Sequence, residues 1–222
     1  MHIFPLSKYN LIFPEPATAS DEGILAFGGD LSVNRVMQGY AKGIFPWYKE
    51  EDPILWWSPN PRFVLHIDDL HISKSLQKTI KKNIYTVKFN VNFEQVIKEC
   101  AQAKREDQEG TWITNDMIEA YCELHSAGHA HSFESYLDGE LVGGGYGVVI
   151  GDIFCGESMF AKKNDASKVA FVSLVKHLKK QGFKLIDSQI YTPHLESFGS
   201  KHITRDEYLQ YVKEALTNPK DF

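Results

Sequence analysis

The stretch HSFESYLDGELVGGGYGVVIGDIFCGESMF, residues 131–160, restricts this chain more than any other segment. Asp138-Gly139 between two apolar runs signals a hairpin, because a two-residue loop of the favoured type needs positive φ at both positions. Gly151-Asp152 marks a second turn, so three antiparallel strands in a meander are predicted. The middle strand holds Gly143, Gly144, Gly145 and Gly147. Glycine inside a strand marks a bulge or a place where another backbone or a ligand comes close. The helix predicted next, residues 165–181, is apolar over most of its surface and must be buried against that sheet, with Gly182 as its cap. KLIDSQIY supplies the strand after it.

Ahead of the meander, RFVLHI reads as a strand, residues 73–82 as a short lysine-bearing helix, and IYTVKF as a strand with alternating faces. Asn92 opens a helix in which Gln95 is placed to close a capping box and Phe93, Val96, Ile97, Cys100 and Ala101 keep helical spacing. After the polar stretch KREDQEG, Thr114 caps a helix with Met117, Ala120, Tyr121 and Leu124 on one side, and Gly128 ends it. A last helix starts at Thr204, where Glu207 completes a T-x-x-E box, and carries Tyr208, Leu209, Val212 and Leu216. The first sixty residues differ: one short helix capped by Ser32, bearing Val33, Val36, Met37 and Tyr40 and ended by Gly43, lies among segments whose glycines and prolines forbid long regular elements. The expected fold is α+β with a mixed, largely antiparallel sheet. A small loop-rich N-terminal subdomain, residues 1–61, precedes an acyltransferase-type domain, residues 62–222.

Several chemistries are disfavoured. With 24 Lys+Arg against 29 Asp+Glu the net charge is -5, so no global basic field announces a nucleic-acid partner, although Lys74, Lys78, Lys81, Lys82 and Lys88 form a local basic stretch. Cys100, Cys122 and Cys155 lie in separate segments without a CxxC pair, and His129/His131 is too short a signal for a metal site. No P-loop, H-E-x-x-H or G-x-S-x-G motif occurs. No metal and no cofactor is expected. No apolar run approaches the roughly 20 residues of a membrane span, and the start MHIFPLSKYN lacks the order of a secretion signal, so a cytoplasmic protein without membrane contact is expected.

Three features could carry chemistry. In LIDSQIY, strand periodicity places Asp187 and Gln189 on one face among apolar neighbours, either as working groups or as a carboxylate answering a basic partner beside an amide at a sheet edge. Glu157 follows an apolar strand and precedes the buried helix, where ligands often meet sheet ends, although a cap or salt bridge would also explain it. Near it, Phe154 and Met159 belong to the core or line an apolar pocket. Three of the four tryptophans fall between Trp47 and Trp57, either stapling the N-terminal segment to the sheet or offering faces on which unpaired bases stack, worth about 1–3 kcal/mol each.

The motifs GILAFGGDLS, GIFPWYKEEDPILWWSPNPR, GTWIT, LHSAGHAHSFESY, ELVGGGYGV, FCGESMF, ASK, LIDSQ and HLESFGS, in that order, resemble the bacterial leucyl/phenylalanyl-tRNA–protein transferase family. The resemblance implies a small N-terminal domain on a GNAT-like domain. It implies an enzyme that moves Leu or Phe, less readily Met, from Leu-tRNA or Phe-tRNA to the N-terminal amine of proteins starting with Arg or Lys, creating an N-degron. The reaction is aminolysis of an ester, which needs alignment of amine and carbonyl, removal of a proton and stabilisation of an oxyanion, and requires no metal. By the same resemblance Asp187 and Gln189 would be the catalytic pair, with Asp187 attracting and orienting the amine or polarising Gln189 to accept its proton. Trp47 and Trp112 would hold the terminal adenosine with support from Tyr121, Phe154 and Met159 would form the aminoacyl pocket, and Glu157 would stand at its polar edge or receive the basic Arg or Lys acceptor. Asn60 stands where the family pattern has Asp and Ser188 where it has Cys, and Tyr191-Thr192 lies outside the expected site. The competing enzyme is a GNAT N-acetyltransferase using acetyl-CoA, but FAKKNDASKVA lacks the glycine-bearing pyrophosphate loop such enzymes carry. A non-catalytic aminoacyl-tRNA end-binding protein would leave Asp187 and Gln189 without a task.

Overall fold

The computed structural model describes residues 3–103 and 111–222. The polar connector 104–110, and with it Gly110 of GTWIT, lies outside the described residues. In chain order the elements are β1 (Phe4–Leu6), β2 (Ile24–Gly28), α1 (Val33–Tyr40), β3 (Phe45–Pro46), β4 (Leu55–Trp57), β5 (Arg62–His66), α2 (Lys74–Lys81), β6 (Thr86–Phe89), α3 (Phe93–Gln102) and α4 (Asn115–Ser126). They continue with β7 (Ala130–Leu137), β8 (Glu140–Ile150), β9 (Ile153–Ala161), α5 (Ala166–Gln181), β10 (Leu185–Asp187), α6 (Pro193–Glu196), β11 (Lys201–Ile203) and α7 (Arg205–Ala215).

Two mixed sheets result. The larger has the order β11-β5-β10-β9-β8-β7-β6, in which, among the described residues, only β9 and β10 run parallel. Because α5 connects those two strands, β10 returns beside β9 in the same direction, as a crossover connection requires. The smaller sheet, β1-β2-β4-β3, answers the expectation of an N-terminal unit made of loops. Its strands are only two to five residues long, so glycine and proline do prevent long elements, yet pairing organises the segment. One apolar cluster spans both sheets: Phe13, Leu25, Val36 and Trp56 share it with Tyr146, Val148, Leu185 and Tyr208. On the other face of the large sheet, Phe133, Phe154 and Ile186 pack with Phe171, Leu174 and Leu178 of α5. Among the described residues no helix is long and apolar enough to cross a membrane.

Most helix starts follow their caps. The side chains of Ser73, Thr114 and Thr204 accept from the backbone N–H groups of Leu76, Met117 and Glu207, and at Thr204 the reciprocal capping box is complete. The box predicted at Asn92 is not. Its backbone N–H donates instead to the buried carboxylate of Glu134 on β7 at 3.0 Å, and Gln95 turns outward to Glu99 at 2.8 Å. A tertiary acceptor has replaced the local one. Ser32 likewise precedes α1 without a side-chain cap, its own N–H held by Asp30 Oδ1 at 2.9 Å.

The glycine run of β8 records close approach. A Cβ on Gly143 would lie 2.8 Å from the backbone nitrogen of Ser167 and 2.7 Å from Cβ of Ala166, at the first turn of α5. Because the obstacle includes backbone, the helix itself would have to shift. Gly143→Ala is expected to destabilise the chain by about 1–3 kcal/mol, as overpacking of a tight core does. Chemical denaturation compared with the parent checks it; an unchanged midpoint would mean that α5 does not sit this close.

Candidate active site

The site arises where the large sheet opens. β10 pairs with β9 only through Leu185, Ile186 and Asp187, opposite Ile153, Phe154 and Cys155. Beyond that point residues 156–161 continue along β8, while Ser188 and Gln189 stay with β5 through Ser188 N–H to Phe63 O at 2.9 Å and Phe63 N–H to Gln189 O at 3.1 Å. The two paths diverge and leave a cavity of about 780 Å³. Gly156, Glu157, Ser158 and Met159 line one side and Ser188, Gln189 and Ile190 the other. Phe133, Phe154, Phe171 and Ile186 form its apolar depth, and Trp47 and Trp112 stand along its wall.

A β-bulge aims Glu157. Tyr146 faces Ser158 and Gly147 faces Gly156, so Glu157 is the extra residue on β9 with no partner on β8. Its carboxylate accepts from Tyr40 Oη at 2.7 Å, Tyr121 Oη at 3.2 Å and Gln189 Nε2 at 3.0 Å. Tyr40 and Tyr121 are fully buried, with hydroxyls 2.7 Å apart. Burial first, then the neighbouring Glu157, holds both phenols well above their ordinary pKa, so they remain donors. Burial likewise pushes Glu157 itself up to about 7; Asp187 nearby adds to this, while the tyrosine hydrogen bonds and Arg62 oppose it.

That shift has a consequence for stability. A carboxylate of ordinary pKa 4.5 in the unfolded chain binds its proton more tightly once folded, so the associated stabilisation is full below 4.5 and is lost as pH rises through about 7. The melting temperature of the parent is therefore expected to fall relative to that of Glu157→Gln between about pH 5 and about pH 8. Thermal unfolding across this range tests it, and parallel curves would show that Glu157 does not titrate there.

Asp187 occupies a different setting from the one strand periodicity implies. β10 ends at Asp187, and Gln189 has φ of 56°, so the two side chains do not share a strand face. Asp187 is wholly buried and does not line the cavity. Its carboxylate accepts Arg62 Nε at 2.8 Å, Arg62 Nη2 at 2.6 Å, Tyr208 Oη at 2.8 Å and the backbone N–H of Gln189 at 2.9 Å. Four donors fill the acceptor capacity of a carboxylate. The last of these bonds ties Asp187 to the turn that points Gln189 at Glu157. Asp187 thus has a basic partner, Arg62, as a carboxylate in an apolar strand requires, and Gln189 has the cavity.

The remaining candidates divide by depth. Trp47, Trp112, Phe154, Glu157 and Met159 line the cavity together with Gln189, whereas Tyr121 lies behind Glu157 and touches it only through its hydroxyl. Trp56 is fully buried, its Nε1–H bonded to Gly28 O at 2.9 Å, and serves the core. Sequence reasoning missed Arg62, Tyr40 and Tyr208. A guanidinium opening the apolar strand RFVLH needs a buried acid, and that signal was available at Arg62; Tyr40 and Tyr208 read as apolar faces of their helices. Among the described residues no group of three or more His, Cys, Asp or Glu side chains could hold a metal ion.

Comparison with known proteins gives the family of the chain. The family profile described as leucyl/phenylalanyl-tRNA protein transferase matches residues 64–213, and that of the family's N-terminal domain matches residues 29–60. The chain belongs to the leucyl/phenylalanyl-tRNA–protein transferase family. A leucyl/phenylalanyl-tRNA–protein transferase of Flavobacterium johnsoniae is 53% identical, over 92% of this chain and 96% of its own length. One from Sulfurimonas denitrificans is 51% identical, over 96% and 92%. One from Myxococcus xanthus is 50% identical, over 99% and 94%. Among solved structures, L-PGS from Bacillus licheniformis matches 61% of this chain and 49% of its own, with TM-score 0.41 and 12% identity. The aminoglycoside N-acetyltransferase AAC(6')-Iy in complex with CoA matches 62% and 90%, with TM-score 0.35 and 13% identity. Neither likeness is close enough to bear on fold or chemistry.

Proposed function

We propose that this aminoacyltransferase, which like its family moves an aminoacyl group from tRNA to protein, takes Leu or Phe, and less readily Met, and joins it to the N-terminal amine of proteins beginning with Arg or Lys, marking them as N-degron substrates in the cytoplasm. The observation that carries the reading is the meeting of Gln189 and Glu157 at 3.0 Å in the cavity opened by β9 and β10, between aromatic walls and an apolar depth.

The donor's side chain enters the apolar end, against Phe154 and Met159. A depth of this kind excludes by shape and gives roughly 10–200-fold discrimination per methylene. Trp47 and Trp112 stack on the terminal adenosine, which leaves the ester carbonyl near Gln189. The exposed lysines of α2, Lys74, Lys78 and Lys81, offer charge to the tRNA body.

The acceptor nitrogen attacks the ester carbon, the bond to the ribose oxygen breaks, and the proton lost from nitrogen ends on that oxygen. With Nε2 of Gln189 committed to Glu157, its Oε1 is the group able to accept a hydrogen bond from the incoming amine. Glu157, with a pKa of about 7, lies close to the 7.7–8.0 typical of an α-amino group and is matched to hold its proton in passing. Asp187 is a positioning group: it never meets the amine, but its bond to Gln189 N–H holds the turn. Tyr121 positions Glu157 in the same sense.

The division at residues 61 and 62 is supported by the sheets, since the four-stranded one uses residues up to Trp57 and the seven-stranded one begins at Arg62. A lone parallel junction that splays in an otherwise antiparallel sheet supports the finer description of residues 62–222 as GNAT-like. The decisive test mixes the purified chain with radiolabelled Leu-tRNA and an Arg-initiated peptide. Label in the peptide is expected, and its absence, with acetyl transfer from acetyl-CoA in a parallel assay, would favour the competing enzyme.

A further inference from the structure

The apolar depth of the cavity has a second layer. The ring of Phe154 lies across Gly147, where a Cβ would come within 2.5 Å of it, so movement toward β8 is blocked by backbone. Phe222 packs against the same ring, with centroids 5.8 Å apart and planes inclined at 31°. Phe222 does not line the cavity. It is held by rings from three other elements: it stacks on His131 of β7 at 4.3 Å, meets His177 of α5 at 5.2 Å, and abuts Phe89 of β6 edge-on at 5.8 Å. Phe89 and His177 stack on each other at 4.7 Å, closing the clamp.

From this geometry we infer that Phe222 is a positioning residue that sets the depth of the donor side-chain pocket by holding Phe154 against Gly147. The inference rests on the reading that the Phe154 end of the cavity receives the donor side chain. With Gly147 on one side and the ring of Phe133 at 6.3 Å, the volume that Phe222 fills is one into which Phe154 can withdraw. Removing that ring leaves space which the core fills incompletely, and Phe154 gains room to retreat. The pocket then deepens by part of a ring, enough to change discrimination that depends on shape alone.

The test measures kcat/KM for Phe-tRNA, Leu-tRNA and Trp-tRNA with one Arg-initiated peptide, the donors competing in the same tube. Ratios between donors do not depend on how much enzyme is folded, so lost stability alone cannot move them. For Phe222→Ala the Trp-to-Phe ratio is expected to rise about tenfold and the Leu-to-Phe ratio to fall. Phe222→Leu, which keeps part of the volume and guards against failure of the alanine variant to fold, is expected to shift both ratios the same way by less. Donor ratios equal to the parent's in the folded variants would overturn the inference. Failure of the parent itself to transfer any donor would instead strike the functional reading on which it rests.

Discussion

Asp187→Ala is expected to destabilise the fold by about 3–5 kcal/mol, because it strands the guanidinium of Arg62 in the interior without its counter-charge. Arg62 is 1% exposed and Asp187 wholly buried, and beyond the two bonds to Asp187 the guanidinium has a backbone acceptor, Gly43 O, at 3.2 Å from Nη1. The rings of Phe45 and Tyr208 flank it at 4.8 and 4.3 Å, so water cannot readily replace the carboxylate. The loss is large against the ~5–15 kcal/mol that holds a typical domain together. Urea unfolding of parent and variant measures it. Arg62→Met, combined with Asp187→Ala, removes both charges and is expected to recover part of the stability, since an apolar pair need not be desolvated. If the single variant keeps its parent's unfolding midpoint, the ion pair does not hold the fold, and if transfer is unchanged as well, Asp187 does not position Gln189.

Gln189→Asn is expected to lower kcat/KM for transfer by about 10²-fold while leaving stability nearly intact. The choice of asparagine matters. Gln189 has φ of 56°, a backbone state that asparagine enters more readily than most residues, so the turn survives where alanine would add strain. What changes is reach: the amide withdraws by one methylene from Glu157 Oε1 and from the space where the amine must approach. Steady-state transfer of labelled Leu, read beside thermal unfolding, separates the two effects. Activity within threefold of the parent would take Gln189 out of the reaction.

Local sequence signals identified the segments of the site better than the side-chain directions within them. LIDSQIY stands out for two polar groups in an apolar run, and both matter to the architecture, but strand alternation assumes that the strand continues past Asp187. It stops there because Ser188 and Gln189 follow β5 and leave β9, which is a property of the sheet. Glu157 was legible as a carboxylate at a strand end; its direction depends on a bulge against β8 that pairing alone produces. The failure of the Asn92 box has the same origin, since Glu134 arrives from 42 residues away to take the N–H that Gln95 was placed to receive.

The amino-acid order by itself determined where most elements begin and end, because capping, positive-φ turns and the spacing of apolar residues act over a few positions: Ser73, Thr114 and Thr204 open their helices, and Asp138-Gly139 turns its hairpin. Tertiary structure alone decided which polar groups became partners. Tyr40 reaches Glu157 across 117 residues and Arg62 reaches Asp187 across 125. A buried polar atom must be satisfied by whatever donor the folded chain brings within about 3 Å, and that choice depends on packing rather than on neighbours in sequence.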